Sequence, residues 1–170
     1  MPDIEVDIAI IGAGTAGMRA YREVSRITDA VLLIEGGPYG TTCARVGCMP
    51  SKLLIAAADA AHHGRHADPF GVHFGAPRID GRAVMKRVRE ERDRFVGFVV
   101  DAIENWFHAH RVRAYAEFAA DDLLKLSDGR TVAAKRVIIA TGSRPAIPPP
   151  FEAFGDRLLT NDDIFSWEDL

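Results

Sequence analysis

Hydrophobic and polar positions change period several times along the chain, and each change predicts an element. The stretch "IEVDIAIIG", residues 4–12, is an almost unbroken apolar run about one strand long, suited to the middle of a parallel sheet covered on both faces. A helical segment is expected from about Thr15 to Arg26, followed by a second short apolar run, "AVLLIE", ending in Glu35. Another helix is predicted from Pro50, because proline is favoured at the first helical position and Leu53, Leu54, Ala57 and Ala61 recur at helical spacing until Gly64. A further helix begins after Asp80, with Val84, Val88, Phe95, Val99, Ala102, Ile103 and Trp106 as its buried stripe and Gly97 as an interruption. Beyond His110 the pattern alternates. "RVRAYAEF", "LLKLS" and "TVAAKRVIIATG" then read as three antiparallel strands, with Asp128-Gly129 as a tight turn between the second and third. "SRPAIPPP" is too proline-rich for a helix or a central strand and reads as a linker. The final "LLTNDDIFSWEDL" holds Ile164, Phe165, Trp167 and Leu170 with little to bury against, which predicts a chain that continues.

Strand followed by helix followed by strand is a βαβ unit, and its first turn carries the chemistry. Gly12, Gly14 and Gly17 form G-x-G-x-x-G between the first strand and helix, and Glu35 ends the second strand about 20 residues on. The first glycine permits the tight turn, the second lets backbone approach a pyrophosphate, and the third lets helix pack close to strand. The helix N-terminus faces the phosphates, and Glu35 can accept the two hydroxyls of an adenosine ribose. Its charge would repel a 2′-phosphate, which disfavours an NADP-type ligand at this position.

Composition and charge narrow the rest. The chain has 170 residues, 48% hydrophobic and 26% charged, enough to bury a core. Its net charge of −3 offers no footprint for nucleic acid or an anionic membrane. The basic run from Arg82 to Arg94 is interleaved with Glu90, Glu91 and Asp93 and reads as a solvated helix face. "MPDIEVDIAII" has acids where a signal peptide has bases, and Asp7 and Gly12 cut its apolar run, so the expectation is a soluble, cytoplasmic protein with no membrane span. In that compartment a pair of neighbouring cysteines is usually catalytic or redox-sensing. Cys43 and Cys48 are the only two in the chain, with four residues between them. They can be bridged only across a distorted turn, for which Gly47 offers backbone freedom. Cys48, two residues before Pro50, falls at the expected helix N-terminus, where free N–H groups favour a thiolate. Lys52 follows it by four residues on the same helix face. His62 and His66 have a spacing that can hold a metal on a helix, but Gly64 lies between them and no third ligand is near, so no metal is expected and they read as a solvated helix end. His73, His108 and His110 show no partner in sequence, and no catalytic histidine is assigned.

"GAGTAG", Glu35, "TCARVGCMPSK" and "VIIATGSRP" resemble, in order and spacing, the motifs of the flavin-dependent pyridine nucleotide-disulfide oxidoreductases, and look nearest to the dihydrolipoamide dehydrogenase branch. The resemblance covers essentially the whole chain. Two positions depart from the pattern: the glycine pair before Thr-Cys appears as Gly40-Thr41, and Arg45 replaces the asparagine common between the cysteines.

The resemblance implies a Rossmann-like α/β domain with a parallel sheet and a three-stranded antiparallel meander, covering 1–145, followed by a linker over 146–170. It implies that the βαβ unit binds FAD non-covalently, with Gly12, Gly14, Gly17, Glu35, Thr42, Cys43, Lys52, Ala116, Thr141, Gly142 and Ser143 around it. By resemblance, Cys48 is the thiol that meets the flavin, Cys43 is the thiol that exchanges with substrate, and Lys52 stabilises reduced flavin. It further implies a dihydrolipoyl-type dithiol substrate, free or on a lipoyl domain, NAD as co-substrate, a homodimer and association with a 2-oxo acid dehydrogenase complex. The family's NAD site, dimer surface and catalytic His with its acidic partner belong to parts this chain does not contain. Other readings are a mercuric reductase or another dithiol reductase of the same family, and a flavin-binding redox sensor.

Overall fold

The computed structural model describes residues 1–170. Contacts divide them into two compact units that interleave along the sequence: Met1–Thr42 with Gly97–Arg144, and Cys43–Val96 with Pro145–Leu170. Residues 43–96 group with the chain end and not with the sheet.

The first unit is built on β1 (Ile4–Ile11), α1 (Thr15–Val24) and β2 (Val31–Ile34). β1 and β2 pair in parallel from Ile8↔Val31 to Ile11↔Ile34. Because side chains alternate across a strand, Ala9, Leu32 and Ile34 enter one core with Val112 and Leu124, while Ile10, Val31 and Leu33 enter a second core with Met18, Tyr21 and Val24 of α1. Ile103, near the end of α4 (Gly81–Glu104), joins that second core.

Three strands were expected after His110, and four form. "RVRAYAEF" splits into β3 (Arg111–Val112), parallel to β2, and β4 (Ala116–Ala120), antiparallel to β5 (Leu123–Leu126). β6 (Thr131–Ile139) pairs antiparallel with β5 and parallel with β1, so the meander and the parallel strands share one sheet in the order β3-β2-β1-β6-β5-β4. At the expected Asp128-Gly129 turn, Gly129 has φ +92° and its N–H donates to the Leu126 carbonyl at 3.0 Å.

The second unit contains most of α2 (Thr42–Val46), α3 (Cys48–Arg65), the first two thirds of α4, and the short helices α5 (Pro149–Glu152) and α6 (Asn161–Ile164). α3 starts two residues before Pro50, and α4 runs through Gly97 without a break. Pro149 and Pro150, expected to exclude a helix, open α5, since the first helical turn needs no N–H partner. The chain end is packed, contrary to expectation: Phe165 is buried, Arg92 donates to its carbonyl at 2.9 Å, and Arg89 donates to the carbonyl of Trp167. The basic run on α4 is thus partly a set of backbone clamps and not wholly a solvated face. No helix is long and apolar enough to cross a membrane.

Candidate functional site

The parallel strands β1, β2 and β6 end at a common level. Gly12 N–H donates to the Ile34 carbonyl and Ala140 N–H to the Ile11 carbonyl, both at 2.8 Å. Ligands of open α/β sheets bind outside the carboxyl ends of the strands, and the predicted nucleotide residues collect there. Gly12 has φ +104°, and a Cβ on it would run into the Ala140 carbonyl. A Cβ on Gly17 would run into the carbonyl of Gly12, whereas one on Gly14 would meet nothing within 4 Å. The first and third glycines are therefore required by the fold itself, and the second faces open space. A cavity of about 160 Å³ opens beside this turn, and Gly12, Glu35, Ala116 and Thr141 all line it. Gly142 (φ +72°) and Ser143 follow as exposed residues outside that lining.

Glu35 does more than the sequence indicated. Its Oε2 accepts the Ala13 N–H at 2.8 Å and its Oε1 accepts the Gly37 N–H at 2.7 Å. The carboxylate thus ties the glycine turn to the end of β2, and its remaining lone pairs are available to ribose hydroxyls. Tyr115 is a residue that sequence reading missed. It lines the cavity, and its ring lies where a Cβ on Gly36 would fall. The only sequence signal was its place next to Ala116. Of the histidines, His110 shares a 3.0 Å hydrogen bond with the Tyr21 hydroxyl, whose pKa is raised by burial, and His73 pairs with Asp68 at 2.9 Å. The His62 and His66 rings stack at 4.0 Å, and no group of three or more potential ligands comes together for a metal.

In the second unit α2 and α3 are separated only by Gly47, which places the two cysteines side by side. Both are thiols, Cys43 half-buried and Cys48 exposed. Cys43 is held above the ordinary thiol range, first by a hydrogen bond with Cys48, then by burial and by the charge Cys48 can carry. Backbone N–H groups of Cys48 and Met49 act in the opposite sense on Cys43. Cys48 is the first residue of α3, and the amides of Cys48 and Met49 at this helix start also act on the Cys43 sulfur. Lys52 is exposed, one helical turn beyond Cys48. Thr42 is exposed at the start of α2.

The sheet, its glycine turn and the acid at the second strand define a Rossmann-like α/β fold. The sequence profile of the pyridine nucleotide-disulphide oxidoreductases matches residues 6–168, and the chain belongs to that family. Dihydrolipoyl dehydrogenase 2 of Haloarcula marismortui is 31% identical over 173 residues, covering 96% of this chain and 36% of its own length. Glutathione reductase of Burkholderia cepacia is 31% identical over 165 residues, covering 97% of this chain and 36% of its own. The chain therefore spans little more than a third of these relatives. Among solved structures, the Cu(II) complex of the HOCl-induced flavoprotein disulfide reductase RclA from Escherichia coli superposes with a TM-score of 0.71 at 20% identity, over 96% of this chain and 34% of that one.

Proposed function

We propose that this chain is the FAD-binding and dithiol-bearing part of a disulfide oxidoreductase of dihydrolipoyl dehydrogenase type, working in the cytoplasm with NAD as co-substrate. The observation that carries the reading is the thiol pair across the junction of α2 and α3, where Cys43 and Cys48 flank Gly47 closely enough for Cys48 to raise the Cys43 pKa. Such a pair can cycle between two thiols and one bridge with little movement.

In the oxidised state a substrate thiolate attacks the Cys43 sulfur of the bridge. A mixed disulfide forms, the Cys43–Cys48 bond breaks, and Cys48 leaves as thiolate. The second substrate thiol, once deprotonated, then attacks its own sulfur in the mixed disulfide and releases Cys43. The substrate has lost two electrons and is left as a disulfide, and the protein has gained them as a dithiol. Bound FAD would supply the two-electron acceptor that restores the bridge. The residues present fit that cofactor: Gly14 leaves room for close approach of a pyrophosphate, and the Glu35 carboxylate borders the cavity where a ribose would sit. Lys52, on the same helix face as Cys48, provides a positive charge.

The dihydrolipoyl substrate is favoured by several relatives with that name, and glutathione disulfide is the competing substrate because one relative of equal identity is a glutathione reductase. A homodimer and a place in a 2-oxo acid dehydrogenase complex belong to the same proposal. The test uses FAD-loaded protein. Cys43→Ser leaves Cys48 alone and should show a long-wavelength thiolate–flavin absorbance band without reductant, while Cys48→Ser should show none. A band in the second variant only would reverse the two roles, and a chain that takes up no flavin would refute the reading. Turnover of lipoamide against glutathione disulfide by the full-length protein decides the substrate.

A further inference from the structure

The first unit carries a second hollow that shares no lining residue with the cavity at Gly12 and Glu35. It has a volume of about 300 Å³ and is lined by Tyr39, Glu104, His108, Arg111 and Arg113. We propose that it is a binding site for a phosphoryl group, separate from the nucleotide site.

Arg111 opens β3 and sits opposite Leu33 of β2. Its Nη2 donates to the Glu104 carbonyl at 3.0 Å, which anchors the guanidinium at the end of α4. Its Nε is buried and has no partner. A buried donor left unpaired on a charged group is unfavourable, and an oxyanion that draws the guanidinium toward the hollow would relieve it. Arg113 lies two residues further along and lines the same hollow. Its guanidinium rests over the Tyr39 ring at 4.2 Å, which holds the planar fork in one orientation. His108 adds a third nitrogen-bearing side chain, and Glu104 is the one acid in the lining.

Two guanidinium forks and an imidazole match a tetrahedral oxyanion better than a carboxylate. A carboxylate presents both oxygens in one plane and is satisfied by a single fork, whereas a phosphoryl group offers three oxygens in different directions. The chain as a whole is acidic, with a net charge of −3, so this concentration of positive charge is local, and a single hollow does not form the basic stripe that nucleic acid needs. The volume admits a phosphate carrying a small substituent.

The test is a titration of the ¹⁵N-labelled chain with inorganic phosphate at constant ionic strength, following the arginine Nε–H resonances. Saturable shifts at Arg111 and Arg113 are expected, and Arg113→Gln should weaken the response at Arg111 by about tenfold, the consequence of losing a charge-assisted hydrogen bond. Arg113 is the residue to change because its side chain is exposed and the Glu104 carbonyl remains held by Arg111. Glu104→Gln should tighten binding. Tighter binding of glycerol 3-phosphate than of free phosphate identifies a phosphorylated small molecule as the ligand, and equal binding identifies free phosphate. Shifts reproduced by chloride, shifts confined to the amides of Gly12–Thr15, or an Arg113→Gln protein that responds like the parent would each overturn the proposal.

Discussion

Glu35→Ala is the substitution on which the structure speaks most quantitatively. The side chain accepts one hydrogen bond from Ala13 at 2.8 Å and one from Gly37 at 2.7 Å. Ala13 is buried, so its N–H has no water to replace the lost carboxylate, while half-buried Gly37 recovers part of its loss from solvent. Hydrogen bonds to charged groups contribute about 1.5–3 kcal/mol each, and with the second discounted the variant should lose about 2–4 kcal/mol even without any ligand. For a chain of this size that corresponds to a fall in Tm of roughly 10 °C. The loss should be read from Trp106, which stacks on Tyr21 at 4.2 Å within the same unit, in a Trp167→Phe background so that one indole reports. Glu35→Gln keeps the shape but turns an N–H toward a backbone donor, and should fall between the parent and the alanine variant. FAD affinity should drop in both. An alanine variant that melts with the parent would show that Glu35 does not pin the glycine turn, and a glutamine variant equal to the parent would show that its charge is not needed.

Other expectations are more compact. Gly17→Ala, whose methyl would meet the Gly12 carbonyl, should abolish stable folding, whereas Gly14→Ala should melt within about 0.5 kcal/mol of the parent yet bind FAD more weakly; equal melts for the two would contradict the packing described. Removing Cys48 removes the first cause of the raised Cys43 pKa, so Cys48→Ala should speed alkylation of Cys43 by iodoacetamide at neutral pH, the thiolate being the nucleophile; a slower reaction would count against the thiol–thiol hydrogen bond. Asp7 is held below its ordinary 3.8, first by its bond to Lys135 at 2.6 Å and then by the Thr28 hydroxyl at 2.9 Å. Its folded pKa lies below its unfolded one, so its contribution is present above the ordinary value and disappears as pH falls through the folded value. Asp7→Asn should therefore flatten the acid limb of a urea-midpoint profile, and an unchanged limb would refute this.

What could be read from the chain alone was local. The glycines at 12, 14 and 17 with a strand before and a helix after define a βαβ unit, because turn, close approach and helix packing are all demanded within six residues. The same holds for the two thiols and the lysine one turn beyond them, whose spacing is set by a single turn and a single helix. The sequence also placed α1 and β6 nearly where they occur, since each repeats its apolar period over many residues.

Other features depended on partners far away in sequence. "RVRAYAEF" reads as one strand, but Arg111–Val112 completes the edge beside β2 and Ala116–Ala120 turns to pair with β5, a division made by two neighbours and not by the segment. Gly97 does not stop α4 because buried positions on either side, Val88 and Ile103, hold the helix in place. The hydrogen bond between Tyr21 and His110 spans 89 positions, and the Arg92 bond to the Phe165 carbonyl spans 73. Glu35 was legible as an acid at the right distance from the glycines, but not as the acceptor that fastens Ala13 and Gly37. Periodicity and spacing act through the geometry of a single turn, helix or strand, which the chain carries in its own order of residues. Which donor meets which acceptor across the fold is decided only when the strands pair and bring distant backbone groups within hydrogen-bonding reach.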